Sequence, residues 1–123
     1  MRLKVIDKLE IKVHYMKLHD DPFKKIKNQT KTIEMRLNDE KRQMLCIGDV
    51  IIFTNNVTNE MIKCLIINLH YFDNFEALYQ NFDKVVLGYN ENEDASFKDM
   101  EEYYSQELIK KYGVLGIEIK VLE

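Results

Sequence analysis

The sequence predicts an α+β fold in which five to six strands form a small curled mixed sheet or β-barrel, with about three flanking helices. Three observations support this prediction. Several short segments alternate apolar and polar residues, most of them are joined by short polar turns, and fewer segments show helical spacing. The 123 residues, 46% of them hydrophobic and 32% charged, fit one globular domain spanning residues 1–123.

The first predicted strand covers residues 9–15, where apolar and polar side chains alternate. A short helix is expected to begin at Asp21, because aspartate caps helices and Pro22 suits the first helical position. Phe23 and Ile26 should face the core of the protein. The three lysines of this helix should face water: Lys24, Lys25 and Lys27.

Alternation returns over residues 31–37, which predicts the second strand. One of its faces is apolar and carries Ile33, Met35 and Leu37. The opposite face carries Thr32, Glu34 and Arg36. Residues 38–42 are polar and predict a turn or a single helical turn.

Three further strands are predicted in the rest of the chain. Gly48 and Asp49 form a tight turn into residues 50–53, whose unbroken apolar run is typical of a central strand. A hairpin loop beginning at Asn55 leads to a long strand from residue 61 to about residue 69. The last strand is expected over residues 114–122.

Two helices are predicted between these strands. Asp73 and Glu76 have the spacing of a capping box, which predicts a helix that ends near Phe82. The longest helix should begin at Ser96 and end at Gly113, a typical C-cap residue. Its apolar residues recur at spacings of three and four: Phe97, Met100, Tyr104 and Leu108. Tyr103 should consequently lie nearer the surface than Tyr104.

The cysteines and histidines predict neither a metal nor a cofactor. Cys46 and Cys64 lie in apolar runs without C-x-x-C spacing, so we expect two buried, reduced thiols. His19 and His70 show no ligand spacing with each other or with the cysteines. The apolar stretches are too short to span a membrane and the chain begins without a secretory signal, so we expect no membrane partner and a cytoplasmic location.

Charge is distributed unevenly along the chain. Residues 1–48 hold 12 Lys/Arg and 7 Asp/Glu, a net charge of +5, whereas the remaining residues carry −8 and the total is −3. The first part can therefore present a positive face, unless folding mixes the two parts. The acidic total favours a small ligand over a long polyanion, which usually requires many cations.

The segment from Gln29 to Arg36 contains the most informative charged residues. Glu34 and Arg36 are two residues apart on one strand face, and Lys31 can reach the same place with its flexible side chain. Two cations and one carboxylate can bind a phosphate or a base edge, because arginine offers a bidentate fork and glutamate accepts from an amino group. The pattern alone also fits an exposed ion pair across one strand face.

Two more residues are candidates for contacts with the same ligand. His14 lies in the first predicted strand, where it could titrate near neutrality or stack on a base. Arg42 and its neighbour Lys41 follow the second strand and could extend a positive rim. Structural roles explain His14 and Arg42 equally well.

The segment Gln29–Arg36 resembles the signature of ASCH domains, G-x-K-x-x-E-x-R, in the PUA-like superfamily of small β-barrels. Lys31, Glu34 and Arg36 match the charged positions, and Gln29 stands at the position of the glycine. The resemblance covers about residues 9–123 and includes five further runs: residues 14–18, 21–23, 36–39, 48–49 and 112–117.

This resemblance implies a PUA-like barrel with a cleft along the motif strand, and RNA or a nucleotide as the partner, in RNA processing or translation. It also allows an enzyme that uses Lys31, either a ribonuclease or a hydrolase similar to N4-acetylcytidine amidohydrolases. Those hydrolases have a threonine nucleophile where this chain has Glu34. A third alternative is a binding module without a nucleic-acid role, and the oligomeric state stays open.

Overall fold

The structure is a computed structural model that describes residues 10–122. In this range, five strands form one curled mixed sheet in the order β1-β3-β4-β5-β2. β1 pairs with β3 in parallel, and the other neighbours are antiparallel. The strands are β1 (Val13–Leu18), β2 (Ile33–Leu37), β3 (Val50–Asn55), β4 (Met61–Phe72) and β5 (Val114–Val121). The predicted α+β fold with a curled mixed sheet is confirmed.

Helical segments flank the sheet and are more numerous than predicted. Two of them are single turns of four residues. The six helical segments of the described residues are α1 (Asp20–Lys27), α2 (Glu40–Gln43), α3 (Phe75–Asn81), α4 (Lys84–Leu87), a 3-10 helix (Phe97–Glu102) and α5 (Gln106–Tyr112).

The apolar side chains form two cores on opposite faces of the sheet's β2 edge. The apolar face of β2 packs into one core with α3, α4 and α5, as its alternation predicted. The other core holds Phe23 and Ile26 of α1 together with the central strands. Glu34 and Arg36 lie opposite Ile117 and Leu115 of β5 in the β2–β5 register. The polar face of β2 therefore borders the core that α1 covers.

The predicted long helix between residues 96 and 113 is wrong. The 3-10 helix ends at Glu102, and α5 begins after Ser105, whose side chain accepts a hydrogen bond from the Leu108 amide. A serine cap in the middle of the apolar pattern restarts the helix, because it satisfies a free amide at the first turn. The inward residue of α5 is accordingly Ile109, and Leu108 is exposed. Gly113 does close α5, as predicted.

The first strand also differs from its prediction. β1 begins at Val13 and continues to Leu18, while Leu9 lies outside the described residues. Val13 and Tyr15 are exposed, and Met16 and Leu18 are buried, so the predicted apolar residues Val13 and Tyr15 lie on the outward face of β1. β1 is an edge strand of the sheet. The first residue on its inward face is His14, which pairs with the buried Asp49.

Helix starts and one cysteine require smaller corrections. α1 begins at Asp20 with His19 as N-cap, and α3 is capped by Asn74, whose side chain accepts from the Ala77 amide. Both cysteines are free, and Cys64 is buried as expected, but Cys46 is exposed. Cys46 follows the short helix α2 in the loop before β3, where its apolar neighbour Ile47 is also exposed. Over residues 10–122, no helix has both the length and the apolar character needed to cross a membrane.

A candidate ligand cleft

A cleft of about 530 Å³ with charged and apolar lining residues opens at the edge of the sheet formed by β2. We call Lys31, Glu34 and Arg36 its strand wall. The opposite side, which we call the loop wall, consists of the cleft-lining residues between positions 87 and 104: Leu87, Gly88, Tyr89, Glu93, Asp99, Met100, Tyr103 and Tyr104. Residues from the end of β1, from α1 and from the junction between them complete the mouth, among them Lys17, Lys25 and His19.

The three motif side chains form one buried ion cluster on the strand wall. The Arg36 Nε donates to Glu34 Oε2 at 2.7 Å, and the Lys31 Nζ lies 3.5 Å from Glu34 Oε1. The side chains of Lys31 and Glu34 are 6% and 8% exposed, and that of Arg36 is 14% exposed. An exposed ion pair, the other interpretation of the pattern, does not describe this arrangement. Two cations here share one carboxylate, which leaves an excess positive charge when all three are ionised.

Arg36 also closes the gap between the two edges of the sheet. β1 and β2 are the edge strands, and the curl of the sheet brings them near each other. The Arg36 Nη2 donates to the Lys17 carbonyl oxygen of β1 at 2.9 Å. A hydrogen bond from a charged donor thus satisfies a backbone acceptor at an open sheet edge.

The proton affinities of the cluster reflect burial and mutual attraction. Burial lowers the pKa of the Lys31 ammonium, and the attraction of Glu34 offsets this only in part, while Arg36 and Lys25 lower the pKa slightly further. Burial opposes ionisation of Glu34 as well, but Arg36 and Lys31 hold its pKa below the usual value. The pKa of Arg36 is raised because Glu34 outweighs the cost of its burial. Glu34 and Arg36 are therefore ionised at neutral pH.

Gln29, which stands at the glycine position of the ASCH signature, lies in a turn before β2. Gln29 has a φ of 70°, in the left-handed region that favours glycine. Asn28 stabilises the turn, because its Oδ1 accepts from both the backbone amide and the hydroxyl of Thr30. A glutamine thus adopts a left-handed conformation where the ASCH signature has a glycine, immediately before the segment that carries Lys31.

Two lysines attach the loop wall to the rest of the cleft. Lys31 Nζ donates to the Leu87 carbonyl oxygen at 2.7 Å, and Lys25 Nζ donates to that of Gly88 at 2.8 Å. These carbonyls lie at the C-terminal end of α4, where cations interact favourably with the helix dipole. Gly88 has a φ of 113°, and a Cβ there would lie 3.1 Å from Lys31 Cδ. The left-handed backbone favours glycine at this position, and the missing Cβ lets Lys31 pack closely against it.

Hydroxyl groups extend the polar lining along the loop wall. Tyr79 and Tyr89 share a hydrogen bond between their hydroxyls at 2.8 Å, and Tyr89 donates to Asp99 Oδ2 at 2.6 Å. Tyr104 packs near Arg36, and its ring stacks on Phe75 with centroids 5.9 Å apart. The loop wall thus combines aromatic faces with hydrogen-bonding groups.

The other two predicted ligand contacts, His14 and Arg42, lie outside the cleft lining. His14 Nε2 pairs with Asp49 Oδ2 at 2.9 Å, and the buried Asp49 also accepts from the amides of Lys12 and Cys46. Arg42 pairs with Asp39 at 3.4 Å beside the N-terminus of α2. The contacts that the structure gives His14 and Arg42 are structural ones.

The sequence prediction missed most of the remaining lining residues. Lys25 was expected to face water, but its side chain is 15% exposed and contacts Gly88 of the loop wall. Tyr89 and Gly88 gave no pattern, although a glycine after a short apolar run is a usual C-cap signal. Among residues 10–122, no group of three or more His, Cys, Asp or Glu side chains is arranged to hold a metal.

A curled mixed sheet with a buried Lys–Glu–Arg cluster beside a cleft defines a small α+β domain of the PUA-like type. The ASCH domain family model matches residues 16–123, so the chain belongs to the ASCH domain family. ASCH domains are generally RNA-binding and PUA-like.

Solved structures that are similar to this chain include two small proteins. The crystal structure of hypothetical protein PH0355 has a TM-score of 0.76 and 27% sequence identity, and the match covers 89% of this chain and 99% of that one. The solution NMR structure of protein PF0455 from Pyrococcus furiosus has a TM-score of 0.66 and 30% identity, with 90% and 98% covered. No curated protein matches the chain.

Proposed function

We propose that this protein binds RNA, or a nucleotide fragment of it, in the cleft between the strand wall and the loop wall. The general RNA binding of ASCH domains supports this proposal. The observation that carries it is the buried cluster in which Lys31 and Arg36 share the single carboxylate of Glu34. A phosphate entering the cleft supplies the second anion and balances the cluster. Such binding suits a role in RNA processing or translation.

Arg36 retains the donors that a phosphate requires. Its Nε and Nη2 are used by Glu34 and the Lys17 carbonyl, and a guanidinium offers five N–H donors in a planar fork. Lys31 contributes a point charge. On binding, its ammonium group would donate to a phosphate oxygen instead of the Leu87 carbonyl oxygen. The cleft volume of about 530 Å³ lies within the usual range for small-molecule sites.

Calorimetric titration with adenosine and cytidine monophosphates and a short single-stranded RNA tests the proposal. We expect Arg36→Gln and Lys31→Met to weaken binding about 10- to 100-fold, because each removes a charge-assisted hydrogen bond. Lys63→Gln is the matched control, since this exposed lysine on β4 lies outside the cleft lining. Affinity should fall with salt on a shallow slope, because few cations line the cleft.

Two results would contradict the proposal. One is the absence of measurable binding of all three probes to the wild-type protein at millimolar concentration. The other is equal binding by the wild type and by Arg36→Gln, once circular dichroism has shown that both proteins are folded. Thermal unfolding of Lys31→Met separates a binding defect from a folding defect.

One observation favours a hydrolase as the second candidate function. Burial lowers the pKa of Lys31, which increases the fraction of neutral amine able to act as a base. Glu34, however, stands at the position of the threonine nucleophile, and a carboxylate cannot replace that hydroxyl. We expect the wild-type protein to leave N4-acetylcytidine and single-stranded RNA intact. Turnover that Lys31→Met abolishes would establish the enzyme instead of the binding domain.

A further inference from the structure

We infer that His19 and Tyr103 form a nucleobase clamp at the mouth of the cleft, so that the ligand is recognised through an unpaired base as well as a phosphate. This inference rests on the proposed function and adds a second subsite to it. Both side chains line the cleft, and their ring centroids lie 6.3 Å apart with 38° between the ring planes.

The position of Tyr103 follows from the break in the predicted long helix. Tyr103 is the C-cap of the 3-10 helix, and Ser105 caps α5 two residues later. Tyr104 takes the inward place against Phe75, which leaves Tyr103 63% exposed at the mouth. An exposed aromatic ring in a ligand cleft provides apolar surface that a base can cover.

His19 faces Tyr103 from the other side of the mouth. It lies between β1 and α1, and its Nδ1 is 3.0 Å from the Asn56 side-chain nitrogen, which fixes the orientation of the ring. His19 follows two residues after Lys17, whose carbonyl oxygen accepts from Arg36. Two residues of extended chain span about 7 Å, so the clamp lies next to the proposed phosphate contact.

The spacing of the two rings suits a base. Two stacking contacts of about 3.5 Å require roughly 7 Å between the flanking rings. The observed 6.3 Å is slightly smaller, and the tilt of the rings opens a wedge on one side. A small rotation of the exposed Tyr103 side chain would admit a base. Bases stack on aromatic rings with little regard to sequence, so the clamp should accept several bases.

The test compares ligands with and without a base. Calorimetric titrations of wild type and variants use cytidine monophosphate, adenosine monophosphate and ribose 5-phosphate. We expect Tyr103→Ala to weaken binding of both nucleotides about 5- to 100-fold and to leave ribose 5-phosphate unaffected. Tyr103→Phe should restore nucleotide binding, and His19→Ala should weaken it. Tyr71→Ala is the matched control, because Tyr71 is 60% exposed but lies outside the cleft.

RNA probes distinguish an unpaired nucleotide in a strand from a free nucleotide. A single-stranded octanucleotide should bind at least as tightly as the monophosphates and more tightly than the same sequence in a duplex. Equal affinity for the duplex would overturn the clamp, as would unchanged nucleotide binding by Tyr103→Ala. In either case a continued requirement for Arg36 would leave the proposed function standing. If the nucleotides, ribose 5-phosphate and the single-stranded octanucleotide all fail to bind, both proposals fail.

Discussion

The two walls of the cleft are built by different physical means. The strand wall takes its geometry from a sheet register, in which Glu34 and Arg36 face the same side and their neighbours fill a core. The loop wall takes its geometry from caps and hydrogen bonds over short helical segments between residues 84 and 105. The strand wall buries its charges, whereas much of the loop wall remains accessible.

This difference separates two tasks that a binding cleft must perform. Buried charges hold a fixed arrangement because any movement would leave them unpaired in a low-dielectric environment. Exposed aromatic and hydroxyl groups on short elements can adjust to a ligand at little cost. We therefore expect substitutions on the strand wall to destabilise the whole fold and those on the loop wall to have smaller, local effects.

Glu34→Gln should have the largest effect. It removes the carboxylate between Lys31 and Arg36 and leaves two buried cations without their shared anion. Losing one partner of a buried ion pair typically costs about 3–5 kcal/mol of unfolding free energy. Urea unfolding measures the loss. A nucleotide should stabilise this variant more than the wild type, because its phosphate replaces the missing anion.

The control for Glu34→Gln is Glu118→Gln. Glu118 accepts from His70 at 2.8 Å, but its side chain is 34% exposed, so water can solvate the partner that remains. We expect a loss of about 1 kcal/mol or less. Equal losses in the two variants would show that burial does not distinguish the strand wall.

Acid should destabilise the protein through the same carboxylate. The folded-state pKa of Glu34 lies below its usual value of 4.5, so the unfolded chain binds its proton first. The stabilisation is complete above pH 4.5 and is lost as the pH falls through the lower, folded-state pKa. Unfolding free energies between pH 7 and pH 3 should show a steeper loss for wild type than for Glu34→Gln. Parallel curves would contradict the pKa assignment.

The strand wall was more predictable from the sequence than the loop wall, for physical reasons. Alternation over residues 31–37 correctly predicted the faces of β2, because a two-residue period leaves only two ways to assign side chains to the faces of a strand. Burial of Lys31 was not predictable, since it depends on Leu87 and Gly88, more than fifty residues later in the chain.

The loop wall was mispredicted where a helix cap interrupts the apolar spacing. The apolar spacing from Phe97 to Leu108 favoured one helix, but the Ser105 cap divides it. The prediction of the edge strand β1 failed for a different reason. Its exposed apolar face gives the same alternating sequence pattern as a buried apolar face. In the first case a local cap outweighs the apolar spacing, and in the second the apolar residues lie on the exposed face of an edge strand.

Gly88→Ala tests the junction of the two walls. Its left-handed φ disfavours alanine, and the added Cβ would meet Lys31 Cδ at 3.1 Å and Nζ at 3.3 Å. Gly48→Ala is a matched control, because Gly48 also has a positive φ of 96° but nothing lies within 4 Å of its added Cβ. The backbone cost alone is about 1–2 kcal/mol. A larger loss at Gly88, accompanied by weaker nucleotide binding, would show that the walls are coupled through Lys31.

Tyr89→Phe should have the smallest effect and should stay within the loop wall. It removes the hydroxyl that donates to Asp99 and contacts the Tyr79 hydroxyl, without creating a large cavity. Because the Asp99 carboxylate is exposed, water can replace the lost donor, and we expect a loss of about 1 kcal/mol. Amide hydrogen exchange should quicken over residues 84–104 and stay unchanged in β2 and β5, since their register does not involve the hydroxyl. Faster exchange throughout β2 would mean that the two walls unfold together, and the contrast between a rigid strand wall and an adjustable loop wall would then be wrong.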